Sequence, residues 1–270
     1  MVIMQKRKKT WLMIVLALFA LLFFTTWYLF NKVLRLSLYE TVAIEEEVAI
    51  DQSYEKIDLK TSNAKVEFIP TKAEETTVSY GGKKKWKMDF NVKVKEDTLT
   101  IQLKEKWFNF IDFSMKGLVL KVYVPEVVYR EIKAKTDNGI IHASNLQANY
   151  IKLETDNGLI KLNNSEGEKV DIQTDNGQIT VNEVNADINA RTDNGRILFE
   201  ATELNHHVNL KTDNGAIHVK LSTEPSNAKI EVELDNGSVN VFGTKERVTT
   251  FGEGKYLMRL ETDNGRIHVE

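Results

Sequence analysis

The chain has 270 residues, no cysteine, and 36 basic against 39 acidic residues. The missing cysteine excludes disulfides, thiolate metal sites and cysteine nucleophiles. Lys6, Arg7, Lys8, Lys9, Lys32 and Arg35 stand in residues 1–35 without an acid, so 30 basic face 39 acidic residues from 36 onward, a net of −9. A general nucleic-acid binder, which needs a broad basic surface, is excluded for that part.

Residues 1–10 read as a cytoplasmic basic tail. Residues 11–30, WLMIVLALFALLFFTTWYLF, carry no charge over twenty positions. That is the length a helix needs to cross about 30 Å of hydrocarbon. Trp11 at one end, and Trp27 and Tyr28 at the other, stand where interfacial aromatics do. Lys6–Lys9 precede the span, so the positive-inside rule predicts a single-pass protein of the cell membrane with an extracellular C-terminal part. The competing reading is a cleaved signal peptide. The apolar run is longer than a typical signal core, and no A-x-A site follows it. Residues 31–50 read as a linker.

Residues 51–130 predict a β-rich cap. KIDLKT, DFNVKVK, TLTIQLK and LVLKVYV all alternate apolar with polar. Within the cap, Lys60-Thr61-Ser62-Asn63-Ala64 looks like a degenerate copy of the turn that dominates the rest.

That turn is Thr-Asp-Asn-Gly. It occurs at 136–139, 155–158, 174–177, 192–195, 212–215 and 262–265, with Leu234-Asp235-Asn236-Gly237 as a seventh copy. The spacings are 19, 19, 18, 20, 22 and 28 residues. A period near twenty marks a repeat architecture. Two and four residues before the Thr, and two and four after the Gly, every copy is apolar: Leu153 and Ile151, then Ile160 and Leu162, in the second. The intervening positions are mostly polar, so each repeat predicts strand, corner, strand and a longer return loop. An antiparallel meander would also use Asn-Gly turns. Coiling instead stacks each repeat on the next, and the uniform columns favour it. The expected fold is all-β: residues 131–270 form a parallel β-solenoid, a single-stranded β-helix with rungs of about 19 residues, behind the cap.

Residues from about Asp51 to Glu270 resemble the bacterial "putative adhesin" family, a domain of unknown function. The resemblance rests on KIDLKTSNAKVEFIP (Lys56–Pro70), on LKVYVP (Leu120–Pro125), and on the run of T-D-N-G repeats. Membrane-anchored, LiaG-like members of envelope-stress operons have a similar layout. The resemblance implies a β-solenoid at the cell envelope and no catalytic residue.

The candidate site residues are those of the turn: Asp137, Asn138 and Gly139; Asp156, Asn157 and Gly158; Asp175, Asn176 and Gly177; Asp193, Asn194 and Gly195; Asp213, Asn214 and Gly215; Asp235, Asn236 and Gly237; Asp263, Asn264 and Gly265. Seven stacked Asp residues repel one another, which either calcium or local bonds within the turn would offset. One acid per rung is few for a cation that takes six to eight oxygens, so a structural turn is expected, with Asn tolerating left-handed geometry and Gly supplying positive φ.

His142, His218 and His268 share one outward column. On consecutive stacking they fall on rungs one, five and seven. The nearest pair is then about 10 Å apart, too far for a shared zinc. No cofactor or metal is expected. Lys83–Lys87 and Lys104–Phe110 mix cations with aromatics, in two loops suited to anionic headgroups or to packing on the cap. The two longest returns, Leu221–Lys229 and Phe242–Leu257, are expected on one face, the second as a contact surface or a tolerated insertion.

These features predict a membrane-anchored, extracellular, non-catalytic scaffold or interaction protein of the bacterial envelope, adhesin-like, with an envelope protein or wall polymer as partner. The alternatives are a calcium-dependent or glycan-binding repeat module, and a carbohydrate-active β-helix enzyme. The last strand, 258–270, is expected to present an unpaired edge for end-to-end self-association.

Overall fold

A computed structural model of the chain describes residues 43–82, 88–105 and 117–270. The tail at 1–10, the span at 11–30, Lys83–Lys87 and residues 106–116 lie outside the described residues. Among the described residues, no helix is long and apolar enough to cross a membrane. The expected linker, 31–50, ends in a strand rather than a connection: β1, Ala43–Ile50, pairs with the sheet.

The other strands are β2 (Lys56–Thr61), β3 (Lys65–Thr71), β4 (Thr76–Gly82), β5 (Met88–Lys95), β6 (Thr98–Glu105), β7 (Val119–Pro125), β8 (Val128–Ser144), β9 (Gln147–Asn163), β10 (Glu166–Asn182), β11 (Asn185–Ala201), β12 (Val208–Leu221), β13 (Ala228–Val241), β14 (Val248–Phe251) and β15 (Tyr256–Val269). Strands β8 to β13 and β15 each contain one Asp-Asn-Gly corner. They pair in parallel, Thr on Thr, Asn on Asn and Gly on Gly, with Leu234 in the Thr place on β13. Parallel pairing in this register is a coil, and it excludes the meander.

Each rung must bend back on itself. Strand β8 has 17 residues, which would span about 56 Å if straight. Yet β9 begins beside the start of β8 after only two connecting residues, Asn145 and Leu146. The corner therefore folds the strand in half, and the two halves enclose the core. The return is shorter than expected from sequence. Left-handed Asn145 (φ 56°), Asn164 (φ 45°) and Glu183 (φ 48°) turn the chain there. The four apolar columns fill the interior. Every one of their residues is buried except Val239, on the outermost strand.

The stacking order is not the chain order. It runs β8-β9-β10-β11-β12-β15-β13-β14. The last strand inserts between β12 and β13 and is paired on both sides. This overturns the expectation that residues 258–270 form an open edge. The outermost long strand is β13, and antiparallel β14 covers only Ala228–Glu231 of it. The two long returns have a topological reason. The chain leaving β12 must leave room for one rung, and the chain leaving β13 must come back by one.

The cap is built on the same plan. Strands β2 and β3 lie parallel to the two halves of β8, so Ser62-Asn63 is the corner of a rung zero. Strands β6 and β7 stack in parallel on β2 and β3. Antiparallel strands then close this end, β5 on β6, β4 on β7 and β1 on β4.

Candidate functional site

The Asp-Asn-Gly corner assigns a separate physical task to each of its residues. The Asn side chains form one continuous amide ladder. Asn138 donates to Asn63 (2.9 Å), Asn157 to Asn138 (2.9 Å), Asn176 to Asn157 (3.0 Å) and Asn194 to Asn176 (3.1 Å). Asn214 donates to Asn194 (3.1 Å), Asn264 to Asn214 (3.1 Å) and Asn236 to Asn264 (3.2 Å). None of the corner Asn residues has positive φ, so the left-handed role expected for them is wrong; the positive φ expected of the corner glycines is present at Gly158 (151°), Gly177 (158°), Gly215 (159°) and Gly237 (143°), and left-handed Asn145, Asn164 and Glu183 lie at the opposite corner. Stacked amides each give one bond and take one, which is why Asn ladders stabilise in-register parallel strands.

Glycine is needed mainly for closeness. A Cβ on Gly195 would lie 1.7 Å from the carbonyl oxygen of Gly177, although φ of Gly195 is not in the left-handed region. The same clash recurs at every corner glycine, between 1.5 and 2.2 Å.

Thr136, Thr155, Thr174, Thr192, Thr212 and Thr262 are buried at the inner side of the corner. The hydroxyls of Thr174, Thr192, Thr212 and Thr262 have no hydrogen-bond partner, and Leu234 fills the same place on β13. The column therefore accepts an apolar side chain in place of the hydroxyl, which bonds to backbone only at Thr136 and Thr155.

The Asp residues stay at the surface. Lys135 lies 3.4 Å from Asp156, and Arg191 lies 3.2 Å from Asp193 and 3.5 Å from Asp213. The Asp156 carboxylate raises the pKa of Lys135 above its ordinary value. Basic residues of the flanking column therefore offset the repulsion along the Asp column. Among the described residues, the one group of three side chains able to converge on a metal is elsewhere, at His218, His268 and Glu270.

The histidine column differs from its expected arrangement. Because β15 inserts beside β12, His218 and His268 are register partners, with ring centroids 5.1 Å apart. The expected separation of about 10 Å rested on consecutive stacking, and it fails for that reason. His142 does stay alone, between Glu67 and Lys161 of the adjoining strands.

The insertion also creates a groove of about 350 Å³ across β10, β11, β12 and β15. Its lining includes the apolar Ile188, Val208 and Leu257 and the polar Asp187, His207 and Arg259. The His207 ring accepts the Leu257 backbone N–H (3.1 Å), and Asn209 donates to Asn189 (3.0 Å). The loop 242–257, expected as a contact surface or a tolerated insertion, keeps residues 243–248 exposed but is anchored to the sheet at both ends. It contains β14, and its Phe242 and Phe251 rings meet edge to face at 5.7 Å and pack on the core.

The chain belongs to the Toastrack DUF4097 family, whose model matches residues 54–270. A comparison with curated proteins finds no match. Similar solved structures include the following three. A putative cell adhesion protein from Clostridium sporogenes is 16% identical, covering 83% of this chain and 98% of its own, with a TM-score of 0.39. A putative adhesin from Bacteroides fragilis is 12% identical, with 84% and 98% covered and a TM-score of 0.42. Another from Parabacteroides distasonis is 12% identical, with 85% and 97% covered and a TM-score of 0.40.

Proposed function

We propose that this chain is a non-catalytic interaction module of the bacterial envelope, held at the cell membrane by residues 11–30 and facing outward. The observation that supports the non-catalytic reading is the regularity of its acids. Seven Asp residues occupy the same corner of seven rungs, at the surface. Acid–base hydrolysis of a glycan needs two carboxyls in unlike environments across a bond. A scaffold repeat needs only that each rung carry its own copy. The partner class is an envelope protein or a wall polymer, and the groove walled by β10, β11, β12 and β15 is the surface this reading assigns to it. End-to-end association of copies would use the second half of β13, where Ser238 and Asn240 are exposed.

The outward orientation is supported by Lys6–Lys9 ahead of the uncharged run. A tag placed after Glu270 should be removed by protease on intact protoplasts, while a tag at Met1 is protected. Protection of the C-terminal tag together with loss of the N-terminal one would reverse the orientation.

A further inference from the structure

The interleaved order of the last two rungs places three metal-ligating side chains at one point of the surface. His218 Nε2 lies 3.1 Å from one carboxylate oxygen of Glu270, and His268 Nε2 lies 3.4 Å from the other. All three ligand atoms lie within 4.8 Å of one another. Two donors on a tetrahedral zinc, each at about 2.0–2.2 Å, are about 3.3 Å apart. The His218–Glu270 and His268–Glu270 pairs already stand at nearly that separation.

The platform is rigid. His218 is flanked along β12 by Ile217 and Val219, and His268 along β15 by Ile267 and Val269, all four at most 1% exposed. The two imidazoles project from paired strands whose neighbouring side chains are locked in the core, as a pre-organised site requires. The side chains of His218 and His268 are only 40% and 35% exposed, and that of Glu270 is 52% exposed, so solvent reaches the point where they meet.

We propose that His218, His268 and Glu270 form a binding site for a divalent transition metal. The donor set defines the class. Two imidazole nitrogens and one carboxylate suit zinc, copper or nickel, whereas calcium and magnesium take oxygen shells. Three protein ligands leave a position open to solvent. A metal there would join β12 to β15 across the ladder, and so fasten the strand that the chain inserts last. His142 supplies an internal control. It occupies the same column, but its ring lies near Ser144 and Asn163, with no second imidazole beside it.

The test is zinc titration of the full chain in detergent micelles by calorimetry, with cobalt absorption as a second readout. The expected result is one zinc per chain, with affinity at least tenfold weaker in His218→Ala and in His268→Ala, and unchanged in His142→Ala. Cobalt should show the d–d bands of a site with nitrogen and oxygen donors, and zinc should raise the Tm of the parent chain and of His142→Ala, with a smaller rise or none in His218→Ala and His268→Ala. Circular dichroism of each variant separates a lost ligand from a lost fold, and Glu270→Gln should weaken binding with the strands intact. No saturable zinc binding, or binding that persists undiminished in the folded His218→Ala and His268→Ala variants, would overturn the proposal.

Discussion

Gly195→Ala is the sharpest test of why the corner carries glycine. The added methyl would sit 1.7 Å from the Gly177 carbonyl oxygen and 2.8 Å from its carbon. Carbon–oxygen contacts settle near 3.3 Å, so rungs β10 and β11 would have to part by about 1.5 Å at that point. Ladder bonds on either side of the corner would then be lost at about 0.5–1.5 kcal/mol each. The neighbouring Asn194–Asn176 amide bond, 3.1 Å long, would stretch with them. Overpacking of this kind costs about 1–3 kcal/mol on its own, so a total near 3 kcal/mol is expected. Backbone strain contributes nothing, because φ of Gly195 is not left-handed. Gly243→Ala isolates the opposite case, since φ there is +83° and nothing lies within 4 Å of the added carbon. It should cost only about 1–2 kcal/mol. Urea-unfolding midpoints followed by far-UV circular dichroism measure both. Hydrogen exchange in β10 and β11 shows whether the loss is local, as stacked repeats allow. A Gly195→Ala protein as stable as the parent, or one less affected than Gly243→Ala, would refute the close-stacking account.

Three other substitutions probe the remaining parts of the repeat. Asn176→Ala removes two amide bonds from the middle of the ladder and should cost about 1–2 kcal/mol, whereas Asn236→Ala removes one at its end and should cost less; equal losses in urea would contradict a continuous ladder. Thr192→Val replaces a buried, unpartnered hydroxyl with a methyl and should raise stability by about 1 kcal/mol; a loss would mean that the hydroxyl is bonded after all. Tyr150→Phe addresses pH. Burial pushes the Asp171 carboxyl up, but the Tyr150 hydroxyl at 2.7 Å and Lys169 outweigh it and leave the pKa lowered. The resulting stability is fully present above the ordinary carboxylate range, near pH 4, and is lost as pH falls through the depressed value. The variant should therefore cost about 1 kcal/mol at neutral pH and progressively less in acid, and a pH-independent loss would sink the assignment.

Much of this architecture is legible in the amino-acid sequence, for a physical reason. A period of two on both sides of a repeated corner places four apolar columns, and all but Val239 are buried. Rung zero shows itself in Thr61-Ser62-Asn63-Ala64, because the Asn that anchors the ladder is retained there. The order of the last rungs is harder to see. Every rung presents the same register to its neighbours, so β15 fits on β12 as well as β13 would. Local pattern cannot distinguish the two orders, and only the longer spacings of 22 and 28 residues hint at a crossover. The misplacement of His218 and His268 follows from that one ambiguity. The left-handed residues are hidden for a different reason. Asn145, Asn164 and Glu183 share a backbone geometry but not a residue type, while the repeated Asn-Gly points to the other corner.

The inserted strand is the central claim, because it sets the groove, the histidine pair and the free edge. The cysteine-free sequence allows a direct measurement by disulfide trapping. Asn209 on β12 and Arg259 on β15 are register partners and both are exposed. Adjacent strands lie about 4.8 Å apart, within the Cα separation a disulfide accepts. Glu231 on β13 aligns with Arg259 and is therefore two strands from Asn209, at about 10 Å. The pair Asn209→Cys with Arg259→Cys should cross-link under mild oxidation, and Asn209→Cys with Glu231→Cys should not. Cross-linking of the 209–231 pair, with the 209–259 pair remaining reduced, would restore consecutive stacking and contradict the account.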